Sequence, residues 1–174
     1  GTKTGYLNKK ATHPATSVSD KGITIEQYPW SMIRLGEVYL GYAEACIEAG
    51  DLDEGKKYLN YIRERADIPT VEDSWKGIAS LDQAKLREIV HRERLIELYL
   101  ENHNFWDLRR WGIAETLGEQ PEGLSVMEKD IEKFAKPTTV DVKRRFTPAH
   151  YLLPIPIEEI NMNPNMVQNP GYND

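Results

Sequence analysis

MIRLGEVYLGYAEACIEAGDLDEGKKYLNYIRERA, residues 32–66, is the stretch on which the fold turns. Apolar residues at 32, 35, 39, 42, 43, 46 and 47 follow helical spacing, with Ser31 placed to cap the start and Gly50 to stop the end. Asp51 then opens a second periodic run in which Leu52, Tyr58, Leu59, Ile62 and Ala66 make a stripe, and Pro69 closes it. Two helices joined by so short a turn must fold back as a hairpin. With Gly50 set at the turn glycine of a tetratricopeptide repeat, Tyr39, Tyr42, Ala43, Cys46, Gly55, Leu59 and Ile62 fall at the packing positions of that repeat. Small residues at 43 and 55 let two helices approach closely, which any helix hairpin also requires.

Residues 67–80 read as a loop carrying Trp75 and Gly77. Asp82 caps a third helix, with Leu86, Ile89, Val90, Ile96 and Leu100 among its inward residues, and Asn102 takes the left-handed position that ends it. A fourth helix, FWDLRRWGIAE, follows at once and predicts a second hairpin. Residues 1–31 read as extended or looped, with one short alternating piece at Ile23–Ile25 that suits a strand. After Gly118 the pattern decays into a helical turn near 127–134, a short strand around 140–146 and a proline-rich tail. The expected fold is mainly α: two tetratricopeptide-like antiparallel helix hairpins wrapped by long irregular loops and a proline-rich C-terminal clasp. It reads as a single unit over 1–174, with 1–31 extended, 32–117 helical hairpins, and 118–174 loops and clasp.

Composition removes several classes of function. Forty per cent hydrophobic and 29% charged residues, with a mean hydropathy of −0.60 and no long apolar run, give no segment able to span a bilayer. Twenty-two basic residues scattered among 28 acidic ones form no stripe, which argues against a nucleic-acid partner. The lone Cys46 lies in a helix as a small apolar side chain and excludes an internal disulfide framework. No targeting segment is visible at the polar N-terminus.

Chemistry-bearing patterns are few. Glu93, Glu97 and Glu101 recur every four residues and so share a helix face; with Arg109 and Arg110 nearby, an ion-pair ladder within this helix or to the fourth one outweighs a hydrolase carboxylate pair. Glu88 and His91 form one Glu-x-x-His unit, but a di-metal site needs a second copy, and His13, His103 and His150 complete no zinc spacing. No metal or cofactor is therefore expected. Among aromatic residues, Tyr28, Trp30 and Trp75 fall in loops, where a flat ring can stack on the axial C–H face of a sugar or pin the loop to the core; Trp106 and Trp111 sit on a helix and are expected to be buried. Trp75, Trp30 and Tyr28 are the glycan-binding candidates.

Four blocks, RLGEVYLGYAEACIEAGD at 34–51, LNYIRERA at 59–66, ERLIELYLENHNFWDLRRWG at 93–112 and YLLPIPIEEINMNPNMVQNPGY at 151–172, resemble in order and wording the C-terminal region of the SusD/RagB family. The resemblance implies a non-enzymatic outer-membrane lipoprotein, exposed at the surface of Bacteroidota-type bacteria, that binds glycans or sometimes peptides and closes over a SusC-like TonB-dependent transporter. Family members are about three times as long, so the chain is expected to be their C-terminal portion, with the lipid anchor outside it. The alternative is a tetratricopeptide-like interaction scaffold contacting the transporter, with ligand binding in the missing N-terminal part. One departure stands out: where the family has Glu-Gly-x-Arg, this chain has Glu101-Asn-His-Asn104, in which Asn102 can replace the glycine but Asn104 lacks the cation. The tail, stiffened by Pro154 and Pro156, is expected to clasp the helix pairs by burying Tyr151, Leu152, Ile155, Ile157, Ile160 and Tyr172.

Overall fold

In the computed structural model, which describes residues 4–140 and 144–172, the chain is mainly helical and divides into two compact units, 10–105 and 1–9 with 106–174. The division follows the apolar residues, because the buried core cluster lies wholly between Leu40 and Leu98.

The unit 10–105 begins with a small exposed hairpin, β1 (Ser17–Ser19) against β2 (Gly22–Thr24), close to the strand expected at 23–25. Its frame is α1 (Leu35–Ala49), α2 (Leu52–Arg65), the single turn α3 (Val71–Ser74) and α4 (Gln83–Glu97). Gly50, at φ 89°, ends α1, and its N–H and that of Asp51 bond back to the last carbonyls. The side chains of Asp51, Thr70 and Asp82 each accept from a backbone N–H three residues on and so cap α2, α3 and α4. Where α1 crosses α2, a Cβ on Gly55 would stand 2.6 Å from Ile47 Cγ1 and 3.2 Å from the Ala43 carbonyl oxygen. Only glycine permits that approach, as expected of the small pair at 43 and 55.

Helix α4 packs on α1 and, less extensively, on α2. Two polar clamps fix it there. At one end Gln83 Nε2 donates to the carbonyls of Ile47 and Glu48, 2.8 and 3.1 Å away, and Arg87 pairs with Glu48. At the other end Arg34, just before α1, reaches Glu97, the last residue of α4, and Glu101 just beyond it. The core between them is Leu40, Ala43, Ile47, Leu59, Ile62, Val71, Leu86, Ile89, Val90 and Leu98. Inside it, Arg63 forms a buried pair with Glu93 and also donates to the Pro69 carbonyl and Ser74 Oγ.

Several expected positions move. Helix α1 starts at Leu35 after an extended Arg34, and not after Ser31, so Met32 is 85% exposed. Its buried face runs through Leu40, Ala43, Glu44 and Ile47, leaving Leu35 and Tyr42 outside; α1 is apolar on most sides, and periodicity alone does not choose a face. On α4, Ile96 lies off the Leu86–Ile89–Val90–Glu93 stripe and is exposed, and Leu100 falls beyond the helix at φ 61°. Asn102 does take the left-handed conformation, at φ 67°. Cys46 is buried and unpaired by any disulfide.

Helix α5 (His103–Arg110) is shorter than the fourth helix expected, because Gly112 turns left-handed and a 3-10 helix, Ala114–Gly118, follows. In the second unit β3 (Glu122–Gly123) pairs with β4 (Thr138–Thr139), α6 (Ile131–Phe134) lies between them, and the Leu124 N–H donates to the Thr4 carbonyl at 2.8 Å. The strand expected over 140–146 falls partly on 141–143, outside the described residues, and none is formed by the rest of it.

The tail carries the 3-10 turn Pro148–Tyr151 and α7 (Ile157–Met162), and within its own unit it folds back upon itself. Gln168 makes a two-way bridge to the backbone of Ile155 at 2.8 Å in each direction, Asn169 Nδ2 donates to the Leu153 carbonyl, and the Tyr172 hydroxyl to that of Leu152. The hydroxyl of Tyr151 accepts from the Ala114 N–H and donates to the Glu115 carboxylate, while Arg109 Nε donates to the His150 carbonyl. Of the six apolar tail residues expected to be buried, Tyr151, Ile155, Ile160 and Tyr172 are half-buried, whereas Leu152 and Ile157 stay exposed.

Candidate functional site

Beside the clamp between α1 and α4 lies a cavity of about 510 Å³. Its apolar wall comes from the irregular segment before α1, which brings Tyr28 and Trp30 together with ring centroids 6.5 Å apart and planes tilted by 53°. They are 38% and 52% exposed, and Ile96, the residue displaced from the core stripe, adds to the same wall. Ala11 closes another side in a left-handed backbone, φ 61°, a conformation that costs a non-glycine residue energy and concentrates at sites that constrain the chain.

The polar floor is a five-member charge network. Arg34 grips Glu101 with two bonds, Nε to Oε2 at 2.6 Å and Nη2 to Oε1 at 2.8 Å, while Nη1 bonds Glu97 Oε1 at 2.5 Å. Arg65 Nη2 reaches the same Glu97 oxygen at 2.6 Å, and Lys10 pairs with Glu101 and donates to the Glu97 carbonyl. The fork of arginine suits this arrangement because its donors diverge to meet two carboxylates at once. The hydrogen bond to Glu101, helped by Glu97 against the cost of burial, holds the Arg34 guanidinium above its ordinary range. Burial alone would raise the Glu101 carboxyl, but the hydrogen bonds from Arg34 and Lys10 overcome it and hold the group below its ordinary 4.5. The Glu101 carboxylate therefore stays charged at neutral pH and balances the cations that grip it; it is not set up as a proton donor.

The sequence candidates separate. Tyr28 and Trp30 share the cavity, whereas Trp75 is outside its lining, half-buried against the core cluster with the Arg63 guanidinium 5.2 Å from its ring centre. The carboxylate ladder does form ion pairs, but its partners are Arg63 for Glu93, Arg34 and Arg65 for Glu97, and Arg34 and Lys10 for Glu101. Arg109 and Arg110, the expected partners, instead bond the His150 carbonyl and Asp107. Trp106 is 58% exposed and Trp111 half-buried, against the burial expected of both. Glu88 pairs with Lys85, and His91 lies 3.6 Å from Glu44, so the Glu-x-x-His unit does not act as a pair. Lys10, Arg34 and Arg65 were missed; the four-residue spacing of glutamates demanded cations, but their positions 32 to 91 residues away in the chain leave no periodic signal.

With the fold and cavity described, likeness to known proteins places the chain. The sequence profile of the SusD family matches residues 1–172, and the chain belongs to that family. It is 34% identical over 143 residues to SusD-like protein P25 of Formosa agariphila, covering 82% of this chain and 24% of that protein. Among solved structures, the selenomethionine form of BT4246 superposes with a TM-score of 0.82 at 36% identity, over 98% of this chain and 30% of that one. A SusD-like protein from Bacteroides fragilis gives a TM-score of 0.66 at 33% identity, over 82% of this chain and 26% of its own. The chain thus spans about a quarter of the length of these relatives. No helix among the described residues is long and apolar enough to cross a membrane.

Proposed function

We propose that the chain is part of a non-catalytic, surface-exposed outer-membrane lipoprotein, anchored by lipid outside these residues, that captures glycan and delivers it to a SusC-like TonB-dependent transporter. Membership of the SusD family supports the class. The observation that carries a ligand role for this part of the protein is the convergence of Tyr28 and Trp30 on one cavity with a charged floor. An aromatic face takes the C–H side of a sugar ring, while arginine and lysine donors take its oxygens; a few polar groups set into an apolar wall is the usual make-up of a small-molecule site. The volume lies within the range of about 300–1,000 Å³ usual for such sites.

Affinity electrophoresis in gels containing a panel of polysaccharides tests the reading. One polysaccharide is expected to retard the chain, Trp30→Ala and Tyr28→Ala to abolish the retardation, and Trp75→Ala to leave it. If no polysaccharide retards the chain, this part of the protein is not the glycan-bearing part.

A second reading, a tetratricopeptide-like scaffold that contacts the transporter, is favoured by one feature. Tyr39, Tyr42, Tyr58 and Tyr61 form a cluster of edge-to-face and tilted rings across α1 and α2, and Tyr42 and Tyr61 are exposed. Aromatic residues gathered in this way are typical of protein contact surfaces. Capture of a purified SusC-like transporter, lost on Tyr42→Ala with Tyr61→Ala, distinguishes it from the first.

A further inference from the structure

The charged floor of the cavity is not electrically even from the ligand's side. The carboxylate-bearing side chains of Glu97 and Glu101 are only 15% and 13% exposed, lying beneath the cations that bind them. Lys10 and Arg65, by contrast, are 37% and 60% exposed, and Arg34 is 21% exposed between them. Among the described residues Arg65 bonds protein through Nη2 alone, so Nε and Nη1 remain to be satisfied by something else. Three positive groups line the cavity against two negative ones, and the accessible charge is positive. This sign is local, since the whole chain carries −6.

We infer, building on the glycan reading above, that the cavity selects a negatively charged sugar: the ring lies on Trp30 and its anionic substituent meets the outward donors of Arg65, with Lys10 adding to the attraction. The guanidinium carries five N–H donors and gives one to Glu97, and those that remain meet the oxygens of a carboxylate or of a sulfate ester equally well. The shared chemistry is an anion on a saccharide, either a uronate or a sulfate. A neutral glycan offers the Arg65 donors only hydroxyl and ring oxygens, whose bonds lack the charge assistance that an anionic substituent supplies.

The experiment sets the chain against three gels of matched concentration, holding polygalacturonate, a sulfated galactan and a neutral galactan, each run at low and at physiological salt. The expected result is retardation by one or both acidic polymers, which also separates uronate from sulfate, with at least about tenfold weaker binding to the neutral one. Because the chain is negatively charged overall, general attraction to a polyanion does not produce that result. Arg65→Gln, at an exposed position, is expected to lose about tenfold in affinity for the acidic polymer and to bring it level with the neutral one. Preference for the neutral galactan, equal retardation by all three, or an Arg65→Gln variant that binds the acidic polymer as the parent does would overturn the inference while leaving the glycan reading standing. Absence of retardation by these three and by the wider panel overturns both.

Discussion

Replacing Arg63 by methionine strands the Glu93 carboxylate in the core. The two residues are 6% and 9% exposed, and Arg63 also satisfies the Pro69 carbonyl and Ser74 Oγ and covers the Trp75 ring. Removing one partner of a buried ion pair costs about 3–5 kcal/mol, because the other charge is left without compensation. Total stability of a domain is about 5–15 kcal/mol, so the single change removes a large share of it. The long helices α1, α2 and α4 all belong to 10–105, so urea unfolding followed by helical ellipticity reports on the unit concerned. The midpoint is expected to fall steeply in Arg63→Met, and the double variant Arg63→Met with Glu93→Leu, which removes both charges, to recover most of the loss. A single variant that loses less than about 1 kcal/mol would refute the reasoning, since a loss that small is the scale of an exposed pair.

Two glycines should respond oppositely. Gly55→Val forces a Cβ against Ile47 and Ala43 and is expected to cost about 1–3 kcal/mol by overpacking, whereas Gly41→Ala, inside α1 with no neighbour nearer than 3.9 Å, should add about 0.5–1 kcal/mol, both read from urea midpoints. The Glu101 carboxyl is held below its ordinary 4.5, so its stabilising contribution is complete above that pH and lost as pH falls through the lower folded value. A melting-temperature profile on the acid side is therefore expected to be shallower in Glu101→Gln than in the parent, and identical profiles would contradict the assignment. Asn102→Val, which places a β-branched residue at φ 67°, should lower the melting temperature by more than Asn102→Gly.

How far the sequence could be read depended on whether the determining interactions were local. Gly50, Asp51 and Asp82 act on backbone groups within a few residues, and each was legible as a stop or a cap. The face of α1 was not, because an almost wholly apolar helix offers several stripes, and it is the facing Gly55 and α4 that select Leu40 over Leu35. Tyr28 and Trp30 were legible as loop aromatics, but Trp75, of the same type and equally in a loop, packs against the core with Arg63 over its ring. Nothing in the neighbourhood of Trp75 separates these fates, since Arg63 lies 12 residues before it and its Glu93 partner 18 residues after it. In the tail, proline marked the extended course, whereas the amide bridge from Gln168 to Ile155 spans 13 residues and has no periodic signature.

The bond from the Leu124 N–H to the Thr4 carbonyl has a consequence for the order of folding. It joins residues 120 apart, and the unit it belongs to is interrupted in the chain by all of 10–105. Within 10–105 the α1–α2 contact is made across two linking residues, so it can form as soon as the helices do. Closing a loop of some 120 residues has an entropic cost that the intervening helices reduce once they have compacted the chain between the ends. The helical unit is thus the template whose collapse brings Thr4 and Leu124 within reach, and refolding from urea should restore helical ellipticity before the environment of Tyr151 becomes native.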